Sequence, residues 1–94
     1  MIKSFKSKAA ASIWNGNYVK SLPAHIQQVA RRKLRMINNA QALNDLRVPP
    51  ANRLEKLKGN LSGYHSIRIN TQWRVVVKWH GNDAFDVEII DYHD

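Results

Sequence analysis

The feature that most constrains the fold of this chain is the alternating run WRVVVKW, which begins at residue 73. Every second position of this run is apolar: Trp73, Val75, Val77 and Trp79. That period is typical of a strand with one buried face. The other face carries Arg74, whose guanidinium costs free energy to bury unless an anion or a hydrogen-bond network meets it. The run therefore predicts a half-buried strand and leaves a partner for Arg74 to be found.

Turn-forming residues divide the second half of the chain into further strands. The runs RLEKLK and YHSIRI flank a loop at residues 59–63, and AFDVEIIDYH follows Gly81-Asn82-Asp83. Short runs separated by Gly, Asn and Ser predict consecutive hairpins. Together with WRVVVKW, they predict an antiparallel meander of four strands.

The first half predicts a short strand, MIKSF, and then two helices. KSKAAASIW is rich in alanine and is stopped by Asn15-Gly16-Asn17. The second helix starts near Ser21 and Pro23 and carries an apolar stripe at helical spacing, namely Leu22, Ile26, Val29, Ala30, Leu34 and Ile37. Helices followed by strands favour an α+β fold, with the two N-terminal helices packed on a small, twisted, mostly antiparallel sheet. A chain of 94 residues is expected to form one domain, 1–94.

The charge of the chain is high and unevenly placed. Lys and Arg number 15 against 7 Asp and Glu, for a formal net charge of +8. All 15 basic residues precede residue 80, and most of the acidic residues follow it. A polycationic body favours a polyanionic partner, most often nucleic acid, although charge of this kind also serves solubility. On the second helix, Arg31, Arg32 and Arg35 share one face, which is either a phosphate-binding ridge or a solvated surface.

The chemistry expected of this chain uses neither metal nor cofactor. It has no cysteine, and its four histidines lack the close spacing of a metal site. No segment approaches the length of a membrane span, so a cytoplasmic protein with no membrane partner is expected.

Residues on the helix-free face of the predicted sheet converge even when they are distant in sequence. The candidates are Lys56, Lys58, Arg68, Arg74, Lys78, Tyr92 and His93. One interpretation gives Arg74 a phosphate, because the planar guanidinium matches two phosphate oxygens. The alternative pairs Arg68, Arg74 and Lys78 with cross-strand carboxylates of the acidic last strand, which carries Asp86, Glu88 and Asp91.

Metal-free RNA cleavage would use side chains of these types. The ribose 2′-hydroxyl must lose a proton, the crowded phosphate must be neutralised, and the leaving 5′-oxygen must gain a proton. Lys, Arg and His can supply these roles, and an aromatic ring such as Tyr92 can hold an unstacked base.

The segments LEKLKGNLSGYHSIRINTQWRVVV and GNDAFDVEIIDYHD resemble the HigB toxins of bacterial type II toxin-antitoxin systems, within the RelE/ParE superfamily. The likeness rests on the pattern L-x-G-x-x-x-G-Y-x-S-I with a later W-R, on the opening MIKSFK, on the helix pair and on the terminal D-Y-H. It implies a RelE-like fold and a ribosome-dependent mRNA interferase that cuts the message in the ribosomal A site.

The resemblance also implies roles for individual residues. Lys58 matches the catalytic lysine of the family, and Arg74 matches the arginine that stabilises the transition state. Tyr92 matches the aromatic residue that orients RNA, and His93 matches the terminal histidine. Glu55 stands where some relatives have a histidine, so the general base is either Glu55 or Lys58, of which the sequence favours Lys58.

The partners implied by the resemblance are a HigA-type helix-turn-helix antitoxin, the ribosome with its rRNA, and mRNA. Operator DNA would be bound only through the antitoxin complex. Two alternatives remain on the same fold, a ParE-like gyrase poison and a non-catalytic, basic RNA-binding module.

Overall fold

The computed structural model describes residues 1–92. It contains two α-helices, α1 (Lys8–Trp14) and α2 (Ala24–Asn39), and four strands, namely β1 (Glu55–Lys56), β2 (Tyr64–Arg68), β3 (Trp73–His80) and β4 (Asp83–Asp91). The strands lie side by side in sequence order, and each neighbouring pair is antiparallel. The predicted α+β class, with helices preceding a meander, is confirmed.

The N-terminal segment adds a parallel edge to this sheet. Ile2 bridges to Ala84 and Phe5 bridges to Val87, both in the parallel sense. The predicted opening strand therefore joins the sheet, but as two isolated bridges rather than a continuous ladder. At the other edge, β1 is only two residues long, shorter than the run RLEKLK had suggested.

One face of the sheet packs against both helices and forms the core. Ser7 caps the start of α1: its hydroxyl accepts a hydrogen bond from the Ala10 amide at 3.1 Å and so satisfies one free amide of the first turn. The α2 helix lays its apolar stripe on β3 and β4. The sheet contributes to this core Ile67, Val75, Val77, Ala84, Val87 and Ile89, together with Ile69 just after β2. Among residues 1–92, no helix combines the length and apolar character that a membrane span requires.

A bulge in β4 sets the direction of several side chains. Lys78 pairs with Phe85 and Val76 pairs with Glu88, so β4 has one more residue than β3 between these pairs. Asp86 lies in this bulge and has a positive φ of 51°, a conformation that is uncommon for a residue other than glycine. The bulge places the Asp86 carboxylate near the N-terminal segment, where Ser4 contacts it.

Candidate functional site

Arg74 lies on the face of the sheet that is turned away from α1 and α2, which we call the open face. Its neighbours Val75 and Val77 belong to the helix-covered core. Arg74 is nevertheless only 6% exposed, and Val76, two residues further along the same face, is fully buried. The open face is therefore shielded from solvent around Arg74 and Val76, and the Arg74 guanidinium needs hydrogen-bond acceptors within the protein.

Within residues 1–92, three acceptors meet the Arg74 guanidinium. Its Nη1 donates to the Ser66 hydroxyl at 3.0 Å and to the Arg53 carbonyl at 3.3 Å. Its Nη2 donates to Glu55 Oε1 at 3.3 Å, and this contact is also an ion pair. The side chain is thus held by acceptors from β1, from β2 and from the loop before β1. These contacts answer the question that the sequence raised about the partner of Arg74.

The turn before β1 and the start of β1 itself supply two of these acceptors. Arg53 has a positive φ of 46° and follows a 3₁₀ turn at Pro50–Asn52. Asn52 is fully buried, and its amide nitrogen donates to the Leu46 carbonyl at 3.2 Å while its oxygen accepts from Lys33 Nζ at 2.6 Å. This anchored turn brings the Arg53 carbonyl to Arg74, and strand pairing sets Glu55 opposite Ser66.

Tyr92 covers the guanidinium. The Arg74 Cζ atom lies 4.8 Å from the centroid of the Tyr92 ring, which is cation-π geometry. The Tyr92 amide donates to the Gln72 carbonyl at 2.6 Å, so the backbone fixes the ring beyond the end of β4. Arg68 lies directly opposite Arg74 in the register and donates from Nε to the Asn70 carbonyl at 3.0 Å.

The structure brings some of the predicted site residues together and separates others. Glu55, Arg68, Arg74 and Tyr92 form one cluster on the open face, which we call the Arg74 cluster. Lys78 lies on the same face, four positions further along β3.

Lys56 does not join the Arg74 cluster. It pairs with His65, which lies opposite the core residue Val77, so alternation directs Lys56 away from the open face. This corrects the expectation that Lys56 projects from the open face. The reason is that Glu55, its neighbour on a two-residue strand, occupies the open-face position.

Lys58 is not part of the Arg74 cluster. Lys58 is exposed just before the 3₁₀ turn at Gly59–Leu61, and its side chain makes no hydrogen bond or ion pair with residues 1–92. The predicted role of His93 falls on a residue outside the described part of the chain.

The carboxylate that pairs with Arg74 comes from the first strand of the meander. The sequence alternative had assigned this role to the acidic last strand. Instead, Glu88 lies 4.0 Å from Lys6 Nζ, and Asp91 accepts a hydrogen bond from the Gln72 side chain. That alternative is wrong in the identity of the carboxylate, although it was right that Arg74 has a carboxylate partner.

Sequence reasoning missed a second group of side chains on the open face, centred on Tyr64. The ammonium groups of Lys6 and Lys78 lie 5.6 Å and 6.0 Å from the Tyr64 ring centroid, and the Tyr64 hydroxyl donates to Asp86 at 3.4 Å. Tyr64 is two positions before Ser66 on β2, so alternation along YHSIR was a signal that it shares the face of Arg74.

The basic residues of α2 are not equivalent. Arg31 donates from Nε to the Ile13 carbonyl at 2.9 Å and from Nη2 to the Asn17 carbonyl at 3.4 Å, so it ties the end of α1 to α2. Arg32 and Arg35 are exposed beside it. The predicted ridge therefore contains one structural arginine and two arginines that are accessible from solvent.

A hollow lies on the helix side of the β1 edge, around His65. Its lining includes Leu43, Arg47, Leu54 and Lys56. The Nδ1 atom of His65 is buried and has no hydrogen-bond partner among residues 1–92. Burial lowers the pKa of His65 below its ordinary value, and the positive charges of Lys56 and Arg47 lower it further.

Two helices packed on an antiparallel sheet agree with the fold of the RelE-like toxins, the class that the matching family model names. A solved structure in this class, the YoeB-YefM toxin-antitoxin complex from Staphylococcus aureus, matches with a TM-score of 0.62 and 24% identity. The match covers 100% of this chain and 99% of that one.

Sequence comparison narrows the class to a family. Residues 3–93 match the model of a RelE-like toxin of type II toxin-antitoxin system HigB. The chain is 30% identical over 93 residues to Endoribonuclease HigB of Proteus vulgaris, covering 99% of this chain and 100% of that protein. It is also 48% identical over 58 residues to Toxin HigB-1 of Vibrio cholerae, a match that covers 62% of this chain and spans 61% of that toxin's length. This chain belongs to the HigB-like toxin family.

The environment of His65 predicts a dependence of stability on pH. Its pKa is lower in the folded than in the unfolded state, so the unfolded state binds the proton more readily. The stability that neutral His65 contributes to the fold is fully present above the unfolded pKa, about 6.5. It is lost as the pH falls through the lower pKa of the folded state. In urea unfolding at neutral and at mildly acidic pH, His65→Gln should therefore lose less stability on acidification than the wild type. His25→Gln, at an exposed histidine, is the control, and equal acid sensitivity of His65→Gln and the wild type would contradict the assignment.

Proposed function

We propose that this chain is an endoribonuclease toxin that cuts translated mRNA in the ribosomal A site by attack of a ribose 2′-hydroxyl on the adjacent phosphate. Membership of the HigB-like family and the name of the Proteus vulgaris relative support the activity. The predominantly basic body supports a nucleic-acid substrate.

The observation that carries this proposal is the fixed position of Arg74. Ser66 and the Arg53 carbonyl hold Nη1, and Tyr92 covers the plane of the guanidinium. The Nη2 side meets Glu55, whose side chain is 43% exposed, whereas that of Arg74 is 7% exposed. A phosphate can therefore approach Arg74 from the side of Glu55. Because the guanidinium is already ordered, its charge stabilises the crowded phosphate without reorganisation at the moment of reaction.

The geometry supports Glu55, more than Lys58, as the general base. The Glu55 carboxylate lies 3.3 Å from the group that would hold the phosphate, whereas Lys58 makes no bond to the Arg74 cluster within residues 1–92. In the proposed step, Glu55 accepts the 2′-hydroxyl proton, the 2′-oxygen bonds to phosphorus, and the bond from phosphorus to the 5′-oxygen breaks. The products are a 2′,3′-cyclic phosphate and, after proton transfer to the leaving oxygen, a 5′-hydroxyl.

The remaining predicted residues have supporting roles in this proposal. His93 supplies the proton to the leaving oxygen, and Lys58 neutralises phosphate charge near the end of β1. Tyr92 positions RNA next to Arg74, while Arg68 and Lys78 contact neighbouring phosphates.

The proposed partners are a HigA-type antitoxin, through which operator DNA is bound, and the ribosome in the cytoplasm. The family description places its members in type II toxin-antitoxin systems. Acidic antitoxin surface and ribosomal RNA would both complement a body with this charge.

Mapping message ends on purified elongating ribosomes tests the proposal. The expected result is cleavage in frame with translation, leaving 2′,3′-cyclic phosphate and 5′-hydroxyl ends. Intact messages from folded protein would contradict it. DNA-damage signalling in cells with uncut messages would favour a gyrase poison, and RNA binding without turnover would favour a passive module.

The exposed arginines of α2 are proposed to contact ribosomal phosphates. Reversing both, as Arg32→Glu with Arg35→Glu, should weaken co-sedimentation with ribosomes and reduce its dependence on salt, because fewer counterions are released. The unfolding midpoint should stay close to that of the wild type. Arg31→Gln is the matched comparison and should lower the midpoint, because Arg31 bonds to the Ile13 carbonyl. Unchanged co-sedimentation of the double variant would show that this part of α2 is a solvated face.

A further inference from the structure

The group around Tyr64 is separate from the Arg74 cluster but lies on the same face. Tyr64 pairs with Lys78, and Ser66, two positions further along β2, bonds to Arg74. Lys78 is four residues from Arg74 along β3, a separation of about 13 Å at the ordinary rise of a strand. An RNA strand held at Arg74 can therefore extend along the sheet to Tyr64.

Two positive charges lie near the Tyr64 ring. Lys6 comes from the N-terminal segment and Lys78 from β3, with their ammonium groups 5.6 Å and 6.0 Å from the ring centroid. Lys6 and Lys78 are exposed, and the ring is partly exposed. Glu88 lies 4.0 Å from Lys6, which leaves Lys78 as the freer cation among residues 1–92. An aromatic ring flanked by accessible cations is the combination that holds an unstacked base and its phosphate.

A hollow of about 420 Å³ lies next to this group. Lys78, Phe85 and Asp86 line it together with Gly63, which precedes Tyr64. Phe85 is opposite Lys78 in the register and therefore also belongs to the open face. The hollow thus offers apolar aromatic surface and positive charge side by side, as a nucleotide requires.

The side chain of Tyr64 is held by contacts from another part of the chain. Asp86, at a positive φ in the β4 bulge, accepts from the Tyr64 hydroxyl at 3.4 Å. The Asp86 amide in turn donates to the Ser4 hydroxyl at 2.8 Å. A positive φ at a residue other than glycine persists only where the surrounding contacts hold it. Such residues are frequent at ligand sites. These contacts position the ring of Tyr64 for a ligand.

We infer that Tyr64, Lys78 and the adjacent hollow form a nucleotide subsite, in which the base of a single-stranded RNA stacks on Tyr64 and its phosphate contacts Lys78. This inference rests on the proposed function, because it concerns the same RNA strand. The nucleotide bound here is a neighbour of the pair whose linkage lies at Arg74, and its role is to hold the message in register with the Arg74 cluster.

The test measures single-turnover cleavage on ribosomes programmed with one defined message. The toxin concentration needed for half-maximal rate is compared for the wild type, Tyr64→Leu, Tyr64→Phe and the control Tyr18→Leu, which alters an exposed tyrosine before α2. Each nucleotide near the cut is also replaced, one at a time, by an abasic residue. Stacking of one base corresponds to about a tenfold effect or more.

The subsite predicts that Tyr64→Leu raises the half-maximal concentration about tenfold or more. Tyr64→Phe, which keeps the ring but loses the bond to Asp86, should raise it less than Tyr64→Leu does, and Tyr18→Leu should leave it nearly unchanged. One abasic position should cause the same loss in the wild type and no additional loss in Tyr64→Leu. Additive losses, or wild-type behaviour of folded Tyr64→Leu, would overturn the subsite while leaving the proposed cleavage intact. If Tyr64→Leu does not fold, the messages with single abasic nucleotides decide the question with the wild-type protein. If no abasic position beyond the two nucleotides at the cut weakens cleavage, the subsite is also overturned. Uncut messages with the wild type would instead refute the proposed function itself.

Discussion

The arrangement of the open face depends on the burial of one guanidinium. Removing Arg74 from water is unfavourable, and the protein offsets that cost with a hydroxyl from Ser66, a carbonyl from Arg53 and a carboxylate from Glu55. Each acceptor comes from a different segment. The loop before β1 and the pairing of β1 with β2 are therefore tied to the position of one side chain.

This network also determines what the open face can do. Nη1 of Arg74 is held by neutral acceptors, so the positive charge is compensated mainly by Glu55, which remains partly exposed. A phosphate that enters from solvent meets an ordered cation next to a carboxylate that can take a proton. In the proposed mechanism, both partners of the ion pair act on bound RNA: Glu55 accepts a proton, and Arg74 stabilises the charge of the phosphate.

Much of the fold followed from the sequence, and the site followed only in part. Alternation in WRVVVKW fixed the core face of β3, and helical spacing in α2 identified its buried stripe, because both patterns are local. The contact between Arg74 and Glu55 was not predicted, because it depends on the register in which the short β1 strand pairs with β2. The turn at Pro50–Asn52, which precedes β1, helps to set that register. Lys56 was placed on the wrong face for the same reason, since a one-residue shift reverses the direction of a side chain.

Tyr64 shows a second limit of reading the sequence. Its neighbours on the open face come from the N-terminal segment and from the bulge in β4, and nothing local in the sequence indicates that Asp86 adopts a positive φ. Arg31 is a related case, because its position on α2 suggested a free ridge, yet the Ile13 carbonyl makes it a structural residue. In both cases a long-range contact, which the local sequence pattern does not show, decides the role of the side chain.

The central claim is that the fixed fork of Arg74 neutralises the phosphate that is cut. The most direct measurement is the single-turnover cleavage rate of Arg74→Lys on programmed ribosomes, with folding and ribosome association checked alongside. Lysine keeps the charge but cannot contact its protein acceptors and a phosphate in the same planar geometry. The account predicts a rate about 10²- to 10³-fold lower at unchanged ribosome association, and a folded variant that cuts within a few-fold of the wild-type rate would contradict it.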